Sequence, residues 1–420
     1  MRTHLWRATV VATAILAGCR LGAQTPADSL VRRQQRALDS LAAELRSLGV
    51  RIAVLERMKA TGDTSVVDEL AALRAAAAAA ATDSAAASRP QAARLGQNAL
   101  NPEISVTGDI RAHGRRPGPQ TDTYSAREFE VAFQSALDPF SSAKVFLSVE
   151  DGEVAVEEGY AYFTSLPAHL RLDVGRFRQQ VGELNRWHLH ALPEDEYPLV
   201  LRRFGGEDGL SAPGVSLYWP LPFSGARGAY ELTVQATTGT SDILDAGGRR
   251  PSYNMQLAGF WQLSRSTYAQ VSASGLYAAN PDSSLTSRLG VAAARFSWRP
   301  PQQAQARELT LRSEVWFLKR TFDLPGDEYF DRGRTGGYVD GSWKLDRRWI
   351  ASVRGDYVES PDRGPVDHEW AVTPTLTFWP SEFVYVRGLY ERSRDLARAT
   401  RDRFTLQLVF AMGPHKHELF

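Results

Sequence analysis

The sequence predicts an all-β transmembrane antiparallel β-barrel of about sixteen strands, preceded by an N-terminal α-helical coiled-coil segment. Three observations predict it. From Glu103 onward apolar and polar residues alternate with period two in segment after segment. The polar rows carry charges of both signs, which suits a wet lumen behind a lipid-facing apolar row. The connections between segments alternate between tight and long, as they do where short turns face one side of a membrane and loops the other.

The first elements lie outside the barrel. Arg2 and Arg7 followed by the apolar run from Ala8 to Ala17 read as an export signal, residues 1–23. Two processing sites compete: Leu16-Ala17-Gly18-Cys19 has the form of a lipobox that lipidates Cys19, whereas Leu21-Gly22-Ala23 suits ordinary signal peptidase. Val31, Gln34, Leu38, Leu41, Leu45, Leu48, Ile52 and Leu55 form a heptad seam, so residues 28–60 are expected to pair as a coiled coil. A seam this narrow buries little on a lone helix, and the alternative is an amphipathic helix lying on the protein's own surface. Residues 61–102 form a helical, Ala-rich linker.

The barrel occupies residues 103–420. In FEVAFQSAL (129–137), Phe129, Val131 and Phe133 oppose Glu130, Ala132 and Gln134. In LTLRSEVWF (309–317), Leu309, Leu311, Val315 and Phe317 oppose Thr310, Arg312, Glu314 and Trp316. RFTLQLVF (403–410) repeats the pattern, with Phe404, Leu406, Leu408 and Phe410 against Thr405, Gln407 and Val409. Aromatic residues at strand ends, among them Trp219, Trp298, Trp349, Phe378, Trp379, Phe383 and Tyr390, suit interfacial girdles. Tight turns such as DPFSS, SLPA, SRS, LDRR and WPSE, with the two longer connections WPLPFSGAR and RPPQQAQAR in the same set, alternate with RRPGPQTD, SDILDAGGRR, DLPGDEYFDRGR and SPDRGPVD. That parity places both ends of the barrel, and the coiled coil, in the periplasm of a Gram-negative-type bacterium. Two irregularities are expected: Pro374 removes a ladder donor, and Glu158 faces lipid unless a bulge sits near Glu157.

Composition narrows the function. The formal net charge is +1, which gives no electrostatic case for nucleic acid, and a single cysteine excludes a disulfide framework. The sequence contains no GxSxG elbow, HExxH helix or P-loop, so no enzyme and no cofactor is assigned. The lumen-facing charges read from the alternation are Glu128, Glu130, Lys144, Arg171, Asp173, Arg312, Glu314, Arg354, Asp356 and Arg387. Neither sign dominates.

The fifth strand runs into the longest connection, residues 179–207, where all periodicity is lost. VGRFRQQVGELN (174–185) resembles the Gly-[Lys/Arg]-Phe-[Lys/Arg]-x-x-x-Gly segment of the phosphate-selective porin O/P family, and EEGYAYF (157–163) resembles the acidic strand before it. The resemblance implies a sixteen-stranded, trimeric diffusion channel of the outer membrane, with Arg176 and Arg178 leading into the loop. Gln179 and Gln180 depart from the family's pattern and the loop is as acidic as it is basic, so phosphate selectivity is not implied. In general porins the third outer loop folds inward and narrows the pore. Arg176, Arg178, Arg186, His188, His190, Glu194, Asp195, Glu196, Arg202 and Arg203 are therefore the candidate constriction residues.

His188 and His190, with Glu194 and Asp195 close behind, are weak candidates for a divalent metal, and His415 and His417 repeat the spacing. Ordinary polar constriction residues are the plainer reading, and no metal is assigned. The expected function is passive diffusion of small polar or charged solutes by a homo-oligomer in the lipid bilayer. The alternatives are a closed barrel that anchors a cell-wall tether and a metal-related channel.

Overall fold

The computed structural model describes residues 102–413, apart from 118–123, 151, 223–227, 239–243, 245–250, 280–284, 325–327 and 363. The export signal, Cys19, the coiled coil, the linker up to residue 101, and His415 and His417 lie outside the described residues.

Sixteen antiparallel strands close into one barrel. β1 (Glu103–Arg116), β2 (Tyr124–Ala136), β3 (Ser141–Glu150) and β4 (Glu153–Phe163) come first, and β5 (Arg171–Arg178) and β6 (Ser211–Pro220) flank the longest connection. β7 (Gly228–Thr238), β8 (Pro251–Gln262), β9 (Thr267–Ala279) and β10 (Thr286–Trp298) continue the wall. β11 (Glu308–Leu324), β12 (Glu328–Lys344), β13 (Trp349–Glu359), β14 (His368–Ser381), β15 (Val384–Arg394) and β16 (Thr400–Met412) complete it. Each strand pairs with its sequence neighbours, and β16 returns to β1 with Leu406 opposite Ala112 and Met412 opposite Val106. Closure leaves no open edge, so the ladders satisfy the wall's main-chain groups without water.

Period two now acquires its physical meaning. Val339 is 63% exposed whereas its neighbour Asp340 is fully buried. The same inversion holds for Leu406 against Gln407 and Val353 against Arg354. Apolar residues cover the outside and charged ones line the inside, which is the reverse of a water-soluble protein and the requirement of a barrel in hydrocarbon. Among the described residues no helix is long and apolar enough to cross a membrane.

Local departures from the ladder are informative. Phe146 pairs with Glu158 but Leu147 with Val156, so Glu157 is the extra residue of a bulge. The bulge turns Glu158 inward, while Val154 and Val156 stay on the outside. A second bulge falls at Arg127, because Asp109 pairs with Glu128 and Ile110 with Ala126. At Pro374 the β14–β15 ladder is interrupted between Val372 and Thr375, as the missing N–H requires.

Two expectations need correction. DLPGDEYFDRGR is hardly a loop: β11 runs to Leu324 and β12 starts at Glu328, because the segment extends the hairpin beyond the wall. Trp379 does not join an outer girdle. The β14–β15 register shifts between Phe378 and Ser381, and the ring packs against Tyr385, whose side chain is buried inside the barrel.

Candidate functional site

The β5–β6 connection folds into the lumen and carries two short turns, Leu184–Arg186 and Leu189–Ala191, and the helix α1 (Leu199–Gly205). Its two ends are clasped together. Gln179 N–H donates to the Leu210 carbonyl, and the Asn185 side-chain amide donates to the Gln179 and Leu210 carbonyls while its oxygen accepts from Leu210 N–H.

The first stretch of the loop is held by neutral groups of β7 to β9. The Gln179 amide donates to Thr237 Oγ1, Gln180 N–H donates to Gln235 Oε1, and Gly182 N–H donates to Ser274 Oγ. Asn254 and Gln256 side-chain amides donate to the carbonyls of Gln180 and Gly182, both at 2.9 Å. The chain then passes over Glu314 on β11. That buried carboxylate accepts from Glu183 N–H at 2.8 Å, Leu184 N–H at 3.1 Å, Trp316 Nε1 at 2.8 Å and the Tyr338 hydroxyl at 2.9 Å. Gly182 has φ +62°, and a Cβ there would stand 2.2 Å from Glu314 Oε2. Only glycine allows so close a pass in that conformation.

Apolar packing continues the seat. Val181, Leu184, Leu192, Tyr197, Val200, Leu201 and Phe204 are almost fully buried against an inner-wall patch that includes Leu276, Leu289, Trp316, Leu318 and Val358. Both faces of those upper strand segments are therefore apolar, one for lipid and one for the loop.

The later stretch is held by charge. Arg354 of β13 meets Glu194 at 3.0 Å and Asp356 at 2.8 Å, and also donates to the Glu196 carbonyl. Arg387 of β15 donates to the carbonyls of Leu192 and Glu194. Arg403 of β16 grips Asp195 with two nitrogens, at 2.5 and 3.2 Å. Arg111 and Arg127 donate to the Asp195 carbonyl. Burial favours a neutral Asp195, but the Arg403 guanidinium prevails and holds its carboxyl below the usual range. Burial wins at Glu194, which is pushed up to about 7 against the pull of Arg354. Glu196 is lowered because Arg202 and Arg403 outweigh its burial. Around α1, Arg202 pairs with Glu196 at 2.7 Å and Arg203 holds Glu369 with two bonds, at 2.6 and 2.9 Å.

A third contact region joins the loop to β2 and β4. His188 Nδ1 stands 2.5 Å from Glu130 and 3.1 Å from Glu157, with Nε2 3.3 Å from Glu158. The Phe146 ring packs on the imidazole with centroids 4.8 Å apart. His190 lies 4.0 Å from both Glu128 and Glu130. Arg178 pairs with Glu157 at 2.6 Å and donates to the Tyr197 hydroxyl at 2.7 Å. Burial alone would depress the His188 imidazole, yet the Glu130 carboxylate raises it well above the usual value. The bulges at Arg127 and Glu157 each bring one more charged side chain into this side of the lumen.

The structure thus gathers Arg178, His188, His190, Glu194, Asp195, Glu196, Arg202 and Arg203 inside or at the mouth of the barrel. Arg186 joins them through Gln180, whose side-chain oxygen accepts its Nη1 at 2.7 Å. Arg176 stands apart and corrects the expectation: it takes the outer row of Leu172 and Val174 and donates to the Val156 carbonyl beside the bulge. Glu194 and Asp195 do not flank the histidines, because arginines of β13 and β16 draw them away. The predicted wall charges Glu128, Glu130, Lys144, Glu314, Arg354, Asp356 and Arg387 are buried inward, and Arg171, Asp173 and Arg312 are less covered. Asp109, Arg111, Arg403 and Tyr385 were missed, although strict alternation from Ile110, Phe404 and Val386 marks their face as inward.

Two cavities remain beside the loop, toward the short-turn end of the barrel. One, of about 300 Å³, is lined by Arg171, Asp173, Tyr218, Gln180 and Arg186. The other, of about 220 Å³, is lined by Trp187, Arg312, Lys344, Thr377 and Arg387. Both present charges to water.

These features decide the architecture. The barrel has the porin fold. DcaP, an outer-membrane channel of Acinetobacter baumannii, superposes with a TM-score of 0.53 at 11% identity over 74% of this chain and 97% of its own. An anion-selective porin of Comamonas acidovorans gives 0.53 at 9% identity over 74% and 99%. OmpF of Salmonella typhi, in a complex with daunomycin, gives 0.51 at 8% over 76% and 99%. At such identities the likeness is one of fold. No protein-family model matches the chain. A segment of 105 residues, 24% of the chain, is 34% identical to an uncharacterized protein of Aquifex aeolicus and spans 22% of that relative's length.

Proposed function

We propose that the protein is an outer-membrane porin, a passive diffusion channel for small polar or charged solutes, narrowed by the loop 179–207. One observation carries this reading: a closed barrel with a charged inner wall holds its third long loop inside the lumen, and water-facing cavities flank that loop. The porin fold and the resemblance of VGRFRQQVGELN to the phosphate-selective porin O/P family support it. The lumen charges pair locally, Arg171 with Asp173 at 2.7 Å and Arg312 with Asp340 at 2.9 Å, so the wall favours neither ion sign strongly. Within this reading Arg178, His188, Glu194, Asp195 and their partners form the constriction. The export signal, a homotrimer and a periplasmic coiled coil that joins protomers or reaches the cell wall belong to the same proposal and rest on the sequence.

One observation favours the closed anchor instead. The loop touches strands from β7 round to β2, and its apolar residues are almost fully buried. Single-channel recording of the full-length protein in a planar bilayer separates the two. Stepwise conductance, in threes for a trimer, is expected for the channel, and the reversal potential in a salt gradient gives the ion preference. Silence from correctly folded protein assigns the barrel to the anchor role.

A further inference from the structure

The contact region between His188, His190 and the β2–β4 wall contains more ligand chemistry than a constriction needs. Glu128 and Glu130 come from β2, Glu157 and Glu158 from the bulged end of β4, and both imidazoles from the loop. One guanidinium, Arg178, stands against these carboxylates, at 2.6 Å from Glu157 and 3.7 Å from Glu158. Counted apart from the imidazoles, the group therefore carries a formal excess of three negative charges, largely buried between loop and wall.

Glu130 sits at the centre. Its carboxylate is almost fully buried, and the groups facing it are the two imidazoles, His188 Nδ1 at 2.5 Å and His190 Nε2 at 4.0 Å. It belongs to both sets of converging ligand atoms, Glu130–Glu157–His188 and Glu128–Glu130–His190, each within 4.8 Å of one another. Donors around a tetrahedral ion with bonds of ~2.0 Å lie roughly 3.3 Å apart, so side-chain rotations of about an ångström complete either set. His188 Nδ1 already stands near that spacing from Glu157, at 3.1 Å, whereas its 2.5 Å contact with Glu130 opens to admit the ion.

We propose that this seam binds a divalent cation of the zinc class between His188 of the loop and Glu130 and Glu157 of the wall. His190 and Glu128 flank it as a second pair on the shared Glu130. Imidazole nitrogen with carboxylate oxygen is a zinc-type donor set, whereas Ca²⁺ and Mg²⁺ favour oxygen alone. The bound ion crosslinks loop and wall, because the nitrogen ligands belong to one and the oxygen ligands to the other. Phe146 on the His188 ring and the Arg178–Glu157 pair hold the ligands in place.

The site requires only the loop seated in the barrel, and its test uses no conductance. The full-length, tag-free protein, folded in detergent and stripped with chelator, is titrated calorimetrically with ZnCl₂ in excess Mg²⁺. One tightly bound equivalent is expected. His188→Ala and the isosteric Glu130→Gln should each weaken binding at least tenfold, while the double variant His415→Ala/His417→Ala retains it. Zinc-edge X-ray absorption of the loaded wild type should show imidazole and oxygen neighbours and no sulfur, which separates the seam from Cys19. If His188→Ala fails to fold, Glu130→Gln and the absorption spectrum decide. Absence of saturable binding, or binding indifferent to both substitutions, overturns the proposal and leaves the seam as a proton-held cluster.

Discussion

The two stretches of the inward loop meet the same barrel by different proportions of neutral and charged contacts. From Gln179 to Leu184 the loop is stitched to β7–β11 mainly by amides, hydroxyls and one carboxylate with four donors, and Glu183 alone adds ion pairs, to Arg295 at 3.0 Å and Arg312 at 3.3 Å. From Leu192 to Glu196 it is clamped to β13–β1 by guanidinium groups on acids and carbonyls. Neutral bonds keep their strength across pH and salt. Buried ion pairs do not, since removing one partner strands the other's charge. A loop built this way has a root held mostly by neutral bonds and a tip held mostly by charge. For a narrow passage the difference places adjustability at the tip, beside the lumen charges, while the root keeps the loop inside.

The comparison can be broken at its strongest point. Asp195→Ala removes the carboxylate shared by Arg403 and Arg111, at a cost of about 3–5 kcal/mol. Thermal unfolding in detergent should show the loss, and amide exchange should rise at 192–196 before 179–184. Equal rises in both stretches would contradict the division. Gly182→Ala attacks the root, where a positive φ and the Glu314 contact both resist a side chain. A loss of roughly 1–3 kcal/mol is expected in the same assay. Gln256→Ala removes the neutral bonds to the Gly182 carbonyl and Ser274 Oγ and should cost about 1–2 kcal/mol, unchanged between pH 5 and pH 8.

The smallest effect at neutral pH, and the sharpest test of a tip held mostly by charge, concerns Glu194. Its carboxyl lies near 7 in the folded protein against 4.5 ordinarily, so between those values the folded state binds the extra proton. Its contribution is therefore full below about pH 4.5 and fades as pH rises through 7. Asp195 and Glu196 act oppositely: both are depressed, so their contribution persists at neutral pH and is lost only as pH falls through the acid range. Glu194→Gln should flatten the pH dependence of exchange at 192–196 between pH 5 and pH 7.5. A slope equal to that of the wild type would remove Glu194 from the account.

Alternation around Phe129, Leu311 and Phe404 is enough to place Glu130, Arg312 and Gln407 inside, because a strand in a wall has only two faces. Connection parity, likewise a local property, marked the 179–207 segment as the third long loop. Even the bulge at Glu157 was legible, since Glu158 would otherwise have faced lipid. Alternation from Leu172 and Val174 likewise puts Arg176 outside, against the motif that led it into the loop, and the bulge offers it the Val156 carbonyl there.

What the amino-acid sequence determined by itself was the wall: its period, its inverted polarity and the place where its regularity stops. Each depends on neighbours within a few residues or on the choice between two faces. Only the tertiary structure decided which wall charge each loop residue meets. Glu194 finds Arg354 across 160 positions, and Asp195 finds Arg403 across 208. His188 meets Glu130 and Glu157 rather than its near neighbours in sequence. No local rule ranks such pairings, because a loop without periodicity takes its path from the shape and charge of the finished lumen around it.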